Sequence, residues 1–395
     1  MKPDIIHSIV VCLAAFTLPF MVACSSQEES FPEDISEAIL HLNVEPIGQT
    51  RAGTATLPDN EKMHSVRVII LHPDGTVEHN KFYALDGAQE QRSILLKVTP
   101  NEKKKIYLFA NEESVSAVEG VVAGGVSGNY TSLPQFFDSY KEGMYGFEIA
   151  VKDLYFEPDY TNGNLIPMSS MYEIDIPEKG VIEETFYVVR VATKFTVNFF
   201  NWRGEDVTVK NFSIESHADK NFLMAHVNSY PDTQNPETNQ KYPTWIDWLK
   251  AVSDASNVDR DAATEEFGWL TDYRLPEQTT AKVYTHEELK IGKPTVGIDY
   301  PDNSEPGVAN VVPVFYLPES KNLKQEGATI VGEQEYTLKI NIAGRDEPFV
   351  CKLDKLKALF RNTHLVVNIT MYNSNEIVVD VIPYSEVILE PEFGL

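Results

Sequence analysis

Apolar and polar positions alternate from Leu40 to Glu45 within AILHLNVEPI, residues Ala38–Ile47: Leu40, Leu42 and Val44 fall on one side, His41, Asn43 and Glu45 on the other. A period of two is what a strand with one buried face requires. The pattern therefore predicts a β-strand here, with His41 on its solvated side. Further runs rich in β-branched and aromatic residues predict strands at HSVRVIILH (His64–His72), SILLKVTP (Ser93–Pro100) and KKIYLFAN (Lys104–Asn111). YGFEIAVKDLYF (Tyr145–Phe156) reads as another. TFYVVRVATKFTVNFFNW (Thr185–Trp202) is too long for one ordinary strand, so a domain crossover is expected inside it near Arg190.

Beyond that point strands are predicted at VKNFSIESH, VVPVFYLP, EYTLKINIAG, THLVVNITMY and EIVVDVIPYSEVILEPEFGL. The exceptions to the strand pattern are few. TWIDWLKAVSDA reads as a short helix capped by Thr244, with Asp247 three residues on and Trp245, Trp248, Leu249 and Val252 on one face. THEELK (Thr285 with Glu288) reads as a capped turn, LDKLKALFRN as a helical turn or two, and VEGVVAGGVSGNY as a surface loop. PDGT, after the second strand, has proline and glycine where a tight turn wants them. Many strands with connections rich in Gly, Pro, Asn and Asp give a mainly β chain of two sandwiches in tandem.

Length and charge narrow the function. The chain has 395 residues, a prior for two domains. Its net charge of −26 excludes nucleic acid as a partner, because phosphate demands a basic patch. The three cysteines are Cys12, Cys24 and Cys351. Cys351 stands alone in the body of the chain, so no internal disulfide framework exists. With no histidine near it in sequence, it reads as a structural rather than a catalytic thiol.

The search for catalytic, metal or cofactor chemistry turns up no constellation. HEELK is not a two-histidine zinc helix, and the glycines of VEGVVAGGVSGNY lack a phosphate-loop lysine. Asn257, Asp259 and Asp261 alternate as in a calcium loop, but the turn glycine and the terminal glutamate are missing. The expectation is therefore a protein that is not an enzyme, with no cofactor. Trp245, Trp248 and Trp269 raise the alternative of a sugar-binding platform, although an apolar helix stripe is more often core.

The N-terminus adds localisation. Residues 5–23 carry no Asp, Glu, Lys or Arg, and Lys2 precedes them. The run is long enough to span a bilayer. Pro19 and the abrupt polar sequel SSQEES favour a secretory signal peptide instead. Ala23–Cys24 is similar to the cleavage point of bacterial lipoproteins, where the cysteine becomes lipidated. A polar, acidic tether, SSQEESFPEDISE, follows.

Taken in order, the leader, the early strand, the loop around Arg51, VRVIILHPDGTV, KKIYLFAN (LFAN at Leu108–Asn111), LIPMSS (PMS at Pro167–Ser169) and FRNTHLVVNITM with VDVIPYSEVILEPEFGL resemble the fimbrillins. These are the type V pilus subunits of gut and oral Gram-negative anaerobes. The resemblance covers nearly the whole chain except about Tyr230 to Pro306. It implies two tandem transthyretin-like β-sandwich domains with a few short helices. The segments would be a signal peptide at 1–23, a lipidated leader with a removable first strand at 24–51, an N-terminal sandwich at 52–189 and a C-terminal sandwich at 190–395.

It also implies a mechanism. The chain would be exported as a lipoprotein through Cys24 and held at the outer membrane by its lipid. An arginine-specific protease would cut between Arg51 and Ala52, and the strand with Leu40, Leu42 and Val44 would leave. Another fimbrial subunit, in a homo- or hetero-polymer, would fill the groove by donor-strand complementation. Arg51 is the only Lys or Arg between Lys2 and Lys62, which isolates that cut. The candidate donor is residues 385–395, where Val387, Leu389, Pro391, Phe393 and Leu395 are apolar at alternate positions. The same segment read without the resemblance could simply close its own sandwich. The implied role is a stalk or tip subunit of an extracellular fimbria in adhesion and biofilm, with a host or bacterial surface ligand open. The alternative is a lipid-anchored surface carbohydrate-binding protein of a glycan-uptake system, which would keep Cys24 and leave Arg51 uncut.

Overall fold

The computed structural model describes residues 37–46, 57–122, 126–226, 275–295, 305–321, 324–326, 329–331, 336–353, 356, 358–373 and 376–382. The first unit is built from β1 (Ala38–Pro46), β2 (Met63–Leu71), β3 (Val77–Gln89), β4 (Arg92–Val98) and β5 (Lys103–Ala110). To these it adds β6 (Val118–Val122), β7 (Val126–Tyr130), β8 (Tyr155–Phe156), β9 (Met168–Asp175) and β10 (Gly180–Arg190). Seven of them form one sheet in the order β3-β2-β5-β9-β10-β1-β4. The link between β9 and β10 is thin: only Val189 and Arg190 pair across it, with Ser169 and Met168. The rest of β10 turns away to pair with β1, so the sheet folds over itself as a sandwich. Leu40, Leu42, Val44, Ile94 and Leu96 from one layer share a core with Val66, Val68, Ile70, Ile106 and Leu108 from the other.

The outer side of β2 and β5 carries a second core. Ile69, Leu71, Tyr107 and Phe109 pack there against two short helices, α1 (Leu133–Asp138) and α2 (Phe147–Lys152). The β2 and β5 runs are apolar on both faces because both faces are covered. The expected strand over Tyr145–Phe156 is thus mostly helix. Gly146 enters it at φ 90°, and Phe147, Ala150, Val151 and Leu154 bury one side, a helical spacing that the aromatic content masked. Only Tyr155–Phe156 is extended. In the expected loop VEGVVAGGVSGNY the described residues form β6 and β7, which pair antiparallel.

The second unit starts two residues after β10 ends. It contains β11 (Thr193–Asn201), β12 (Val207–His217), β14 (Lys282–His286), β15 (Leu289–Ile291), β16 (Gly307–Val308) and β17 (Val314–Leu317), while β13 (Asn221–Phe222), which follows β12 in the chain, pairs back with β8 of the first unit. Then follow β18 (Ser320–Lys321), β19 (Lys324–Glu326), β20 (Thr329–Val331), β21 (Thr337–Ile342), β22 (Phe349–Lys352), β23 (Ala358–Leu359), β24 (His364–Met371) and β25 (Ile377–Ile382). One sheet runs β16-β11-β24-β25 with β17 also on β11; the other runs β14-β12-β21-β22 with β15 also on β12. Alternate residues of β11, β21 and β24 bury into one core, including Phe195, Val197, Leu338, Ile340, Val367 and Ile369. The chain is therefore mainly β, with sandwich layers and a few short helices.

Two turn expectations are corrected here. THEELK is extended: Thr285 pairs with Ser213, and Leu289 and Ile291 alternate inward along β15. In LDKLKALFRN the Leu356 N–H donates to the Leu353 carbonyl at 2.8 Å, a single turn, but Ala358 and Leu359 then form β23, paired with Lys321 and Ser320. In both places the partner strand overrides the local helical preference.

The motifs of the sequence have structural jobs. Asn111 of LFAN stands in the left-handed region at φ 58° and is fully buried. Its side chain accepts from the His64 N–H at 2.8 Å and donates to the carbonyls of Lys62 and Ile166, both at 2.9 Å. One amide thereby pins three chain segments at the mouth of β2. Ser169 of PMS donates its hydroxyl to the Leu223 carbonyl at 2.6 Å.

Candidate functional site

The site worth building is the place that β1 occupies. β1 is an interior strand. It runs parallel to β10, with Ala38–Pro46 paired to Gly180–Val188, and antiparallel to β4, with Ala38–Val44 paired to Val98–Arg92. Leu40, Leu42 and Val44 are each 0% exposed. At about 1.5–3 kcal/mol for each such side chain, their burial contributes on the order of 7 kcal/mol. A whole domain is stable by only about 5–15 kcal/mol.

β4 depends on β1 more than any other strand does. β1 is its sole strand partner among the described pairings. Taking β1 away uncovers one edge of β10, one edge of β4, and the inward side chains Ile94, Leu96, Val98, Ile182 and Phe186. A gap of this kind has two walls rather than one: an incoming strand would find backbone donors and acceptors on both sides.

The outward face of the slot is polar and organised around one carboxylate. Asn43 donates its side-chain N–H to Glu183 Oε1 at 3.4 Å, and His41 Nδ1 lies 3.4 Å from the same oxygen. Ser93 on β4 donates its hydroxyl to Asn43 Oδ1 at 2.6 Å. Lys97 on β4 pairs with Glu37, one residue before β1. His41 is therefore half-buried and engaged, not simply solvated as its place on the polar face suggested. The alternation in the sequence located β1 but not Glu183 or Ser93, which stand 140 and 50 residues from Asn43; nothing local marks such long-range partners.

A second polar centre joins the two units beside the slot. β10 ends at Arg190, whose Nε donates to the Glu61 carbonyl at 3.0 Å and whose Nη1 donates to Asn362 Oδ1 at 3.1 Å. The Glu61 carboxylate takes Lys194 Nζ at 2.8 Å and the Tyr316 hydroxyl at 2.5 Å. Burial alone would raise the Glu61 carboxyl; Arg190 and Lys194 outweigh it and hold it below the ordinary carboxylate range. Deeper in, Arg361 and Glu319 are both 1% exposed and bonded through two guanidinium nitrogens at 2.7 and 2.6 Å. Arg361 also donates to the carbonyls of Leu223 and Phe222 at 2.9 and 2.8 Å. With every donor direction used, this buried pair is the kind that holds.

The remaining sequence candidates are placed as follows. Leu40, Leu42 and Val44 come together on the buried face of β1. Cys24, Arg51, Ala52, Val387, Leu389, Pro391, Phe393 and Leu395 lie outside the described residues, as do Trp245, Trp248 and Trp269. Cys351 is partly buried on β22, and burial pushes its thiol up, away from the reactive thiolate. Among the described residues no group of His, Cys, Asp or Glu is arranged to hold a metal ion.

No protein-family model matches the chain, and no curated protein matches it. Solved structures do. A fimbrial assembly protein from Parabacteroides distasonis is 11% identical with a TM-score of 0.44, over 90% of this chain and 99% of that one. A putative cell adhesion protein from the same organism is 13% identical with a TM-score of 0.45, over 90% and 99%. The tip fimbrial protein Mfa3 from Porphyromonas gingivalis is 13% identical with a TM-score of 0.44, over 88% and 99%.

Proposed function

We propose that this chain is a structural subunit, stalk or tip, of a bacterial surface fimbria. It is exported as a lipoprotein through Cys24, cut after Arg51, and joined to neighbouring subunits by donor-strand exchange. The observation that carries this reading is the position of β1. It is an interior strand with a fully buried apolar face, it is the only strand paired with β4 among the described residues, and it is tied to the rest of the chain through residues 47–56, which contain Arg51. One peptide bond in that segment is all that separates a closed monomer from a subunit with a strand-sized acceptor groove. Stability of the uncut monomer and a demand for a partner after the cut then follow from the same side chains. The partners of this cycle are the arginine-specific protease, the outer membrane before the cut, and other fimbrial subunits after it.

N-terminal sequencing of the surface-exposed protein tests the reading. The expected first residue is Ala52, in oligomers that survive mild denaturant, and Arg51→Ala should leave a folded monomer that does not assemble. A mature chain that still begins at acylated Cys24 and forms no polymer refutes it and leaves the lipid-anchored carbohydrate-binding alternative.

A further inference from the structure

The slot around β1 has a polarity of its own, which selects among strands that are equally apolar on their inner side. Two features set it. Glu183 sits astride the two outward positions held by His41 and Asn43, both of which present nitrogen to it. In addition, both edges of the strand are paired from Ala38 to Val44, whereas at Pro46 only β10 is paired. β1 thus places its one proline, which has no N–H to give, where the strand has a single neighbour.

The candidate donor segment of this same chain breaks both rules. Laid over β1 residue for residue, Val387–Leu395 puts Val387, Leu389, Phe393 and Leu395 on Ala38, Leu40, Val44 and Pro46. It also puts Pro391 on Leu42, in the doubly paired middle, and Glu390 and Glu392 on His41 and Asn43, beside Glu183. Sliding by two residues, or reversing direction, does not escape this. The outward set is Glu386, Ile388, Glu390, Glu392 and Gly394, so any two neighbours include at least one carboxylate. Like charges at facing positions on adjacent strands repel, and two copies of so acidic a chain repel at longer range as well.

We propose that the slot left by β1 takes its strand from a different protein and discriminates against the C-terminal segment of a second copy of this chain. The fitting strand has large aliphatic residues at the positions of Leu40, Leu42 and Val44. It has an amide or cationic side chain at the positions of His41 and Asn43, and no proline between them. The proposal rests on reading β1 as the removable strand, and it makes Glu183 the residue that sets partner choice. Glu183 is 59% exposed, so each contact discriminates modestly and is screened by salt.

The test uses the full chain with a protease site built into residues 47–56, cut after folding. Labelled peptides are then followed by fluorescence anisotropy as they replace β1. Four are needed: residues 37–46; the same with His41→Glu and Asn43→Glu; residues 386–395; and that segment with Glu390→Lys, Pro391→Val and Glu392→Lys. The expected order has the first and last binding best. Each introduced glutamate weakens binding by up to about fivefold at low salt, and 386–395 is weakest. Glu183→Lys reverses the charge order, and about 1 M salt erases it while the proline penalty persists. If 386–395 binds as tightly as 37–46, or Glu183→Lys changes nothing, the proposal is wrong although the slot is real. If no peptide enters, not even 37–46, the removable-strand reading falls with it.

Discussion

Leu42→Ala is the most direct probe of the slot. Leu42 lies at the centre of β1, is 0% exposed, and is flanked by Ile94 on β4 and Glu184 on β10. Truncating a leucine at such a site costs about 2–5 kcal/mol, from lost transfer energy and the cavity left behind. In the intact chain that is a large share of a typical domain's stability, so urea unfolding of the first unit should shift to clearly lower denaturant at unchanged slope. In a chain cut within residues 47–56 the same loss appears as faster release of β1, by roughly 100-fold for about 3 kcal/mol. Leu95→Ala is the control. Leu95 sits on the neighbouring strand but is 49% exposed, so its truncation should stay within about 0.5 kcal/mol. If Leu42→Ala behaved like Leu95→Ala in both assays, β1 would not be held by its buried face and the slot argument would fail.

Glu319→Ala leaves Arg361 charged and buried without its partner; an unfolding free energy lowered by about 3–5 kcal/mol is expected in urea titration, with much of the loss recovered when Arg361→Met is added. Glu61 has a folded pKa below its unfolded value. Its contribution is therefore full above the ordinary carboxylate range and is lost as pH falls through the folded value, so Glu61→Gln should flatten the acid side of the stability profile below about pH 4.5 and leave its pH dependence near neutrality unchanged. Asn111→Ala loses three hydrogen bonds and strains the backbone at φ 58°, for a cost of about 2–4 kcal/mol by thermal unfolding; Asn111→Gly relieves only the strain and should fall between the two.

What was legible in the sequence was what is local. The alternation of Leu40, Leu42 and Val44 identified β1 and its buried face, because period two is written in adjacent residues. The run through Arg190 announced two strands because no single strand needs that length, and β10 and β11 are those strands. Two kinds of feature were not legible. One is competition between local and tertiary preference: Phe147, Ala150, Val151 and Leu154 are helix-spaced yet embedded among aromatics that read as strand, while THEELK looked like a capped turn and was drawn into pairing with β12. The other is the long-range polar partner. Glu183 meets Asn43 across 140 residues and Glu319 meets Arg361 across 42, and a charge in a sequence does not say which opposite charge it will face. The LFAN asparagine was visible as a motif, but its reason, a left-handed residue whose amide binds three segments, belongs to the fold.

The wiring around Arg190 leads to one more expectation, about what moves when β1 departs. β10 forms a wall of the slot from Gly180 to Val188, then delivers Arg190 to the joint and continues within two residues into β11. The segment that follows the 47–56 region is anchored to that joint and not to β1. Leu57 is buried, and Glu61 is held by Arg190, Lys194 and Tyr316. β2 is further sandwiched between β3 and β5, whereas among the described residues β4 has β1 as its only paired strand, with His79 of β3 on its Lys97 carbonyl. Loss of β1 should therefore free β4 and leave β2 and the joint in place, because local opening follows the number of partners a strand retains. Hydrogen exchange on the cut chain, with β1 competed away, should show fast amides over Arg92–Val98 and protected amides over Val66–Leu71. Equal loss of protection in both would mean that the first unit unfolds as a whole and cannot wait, empty, for a new strand.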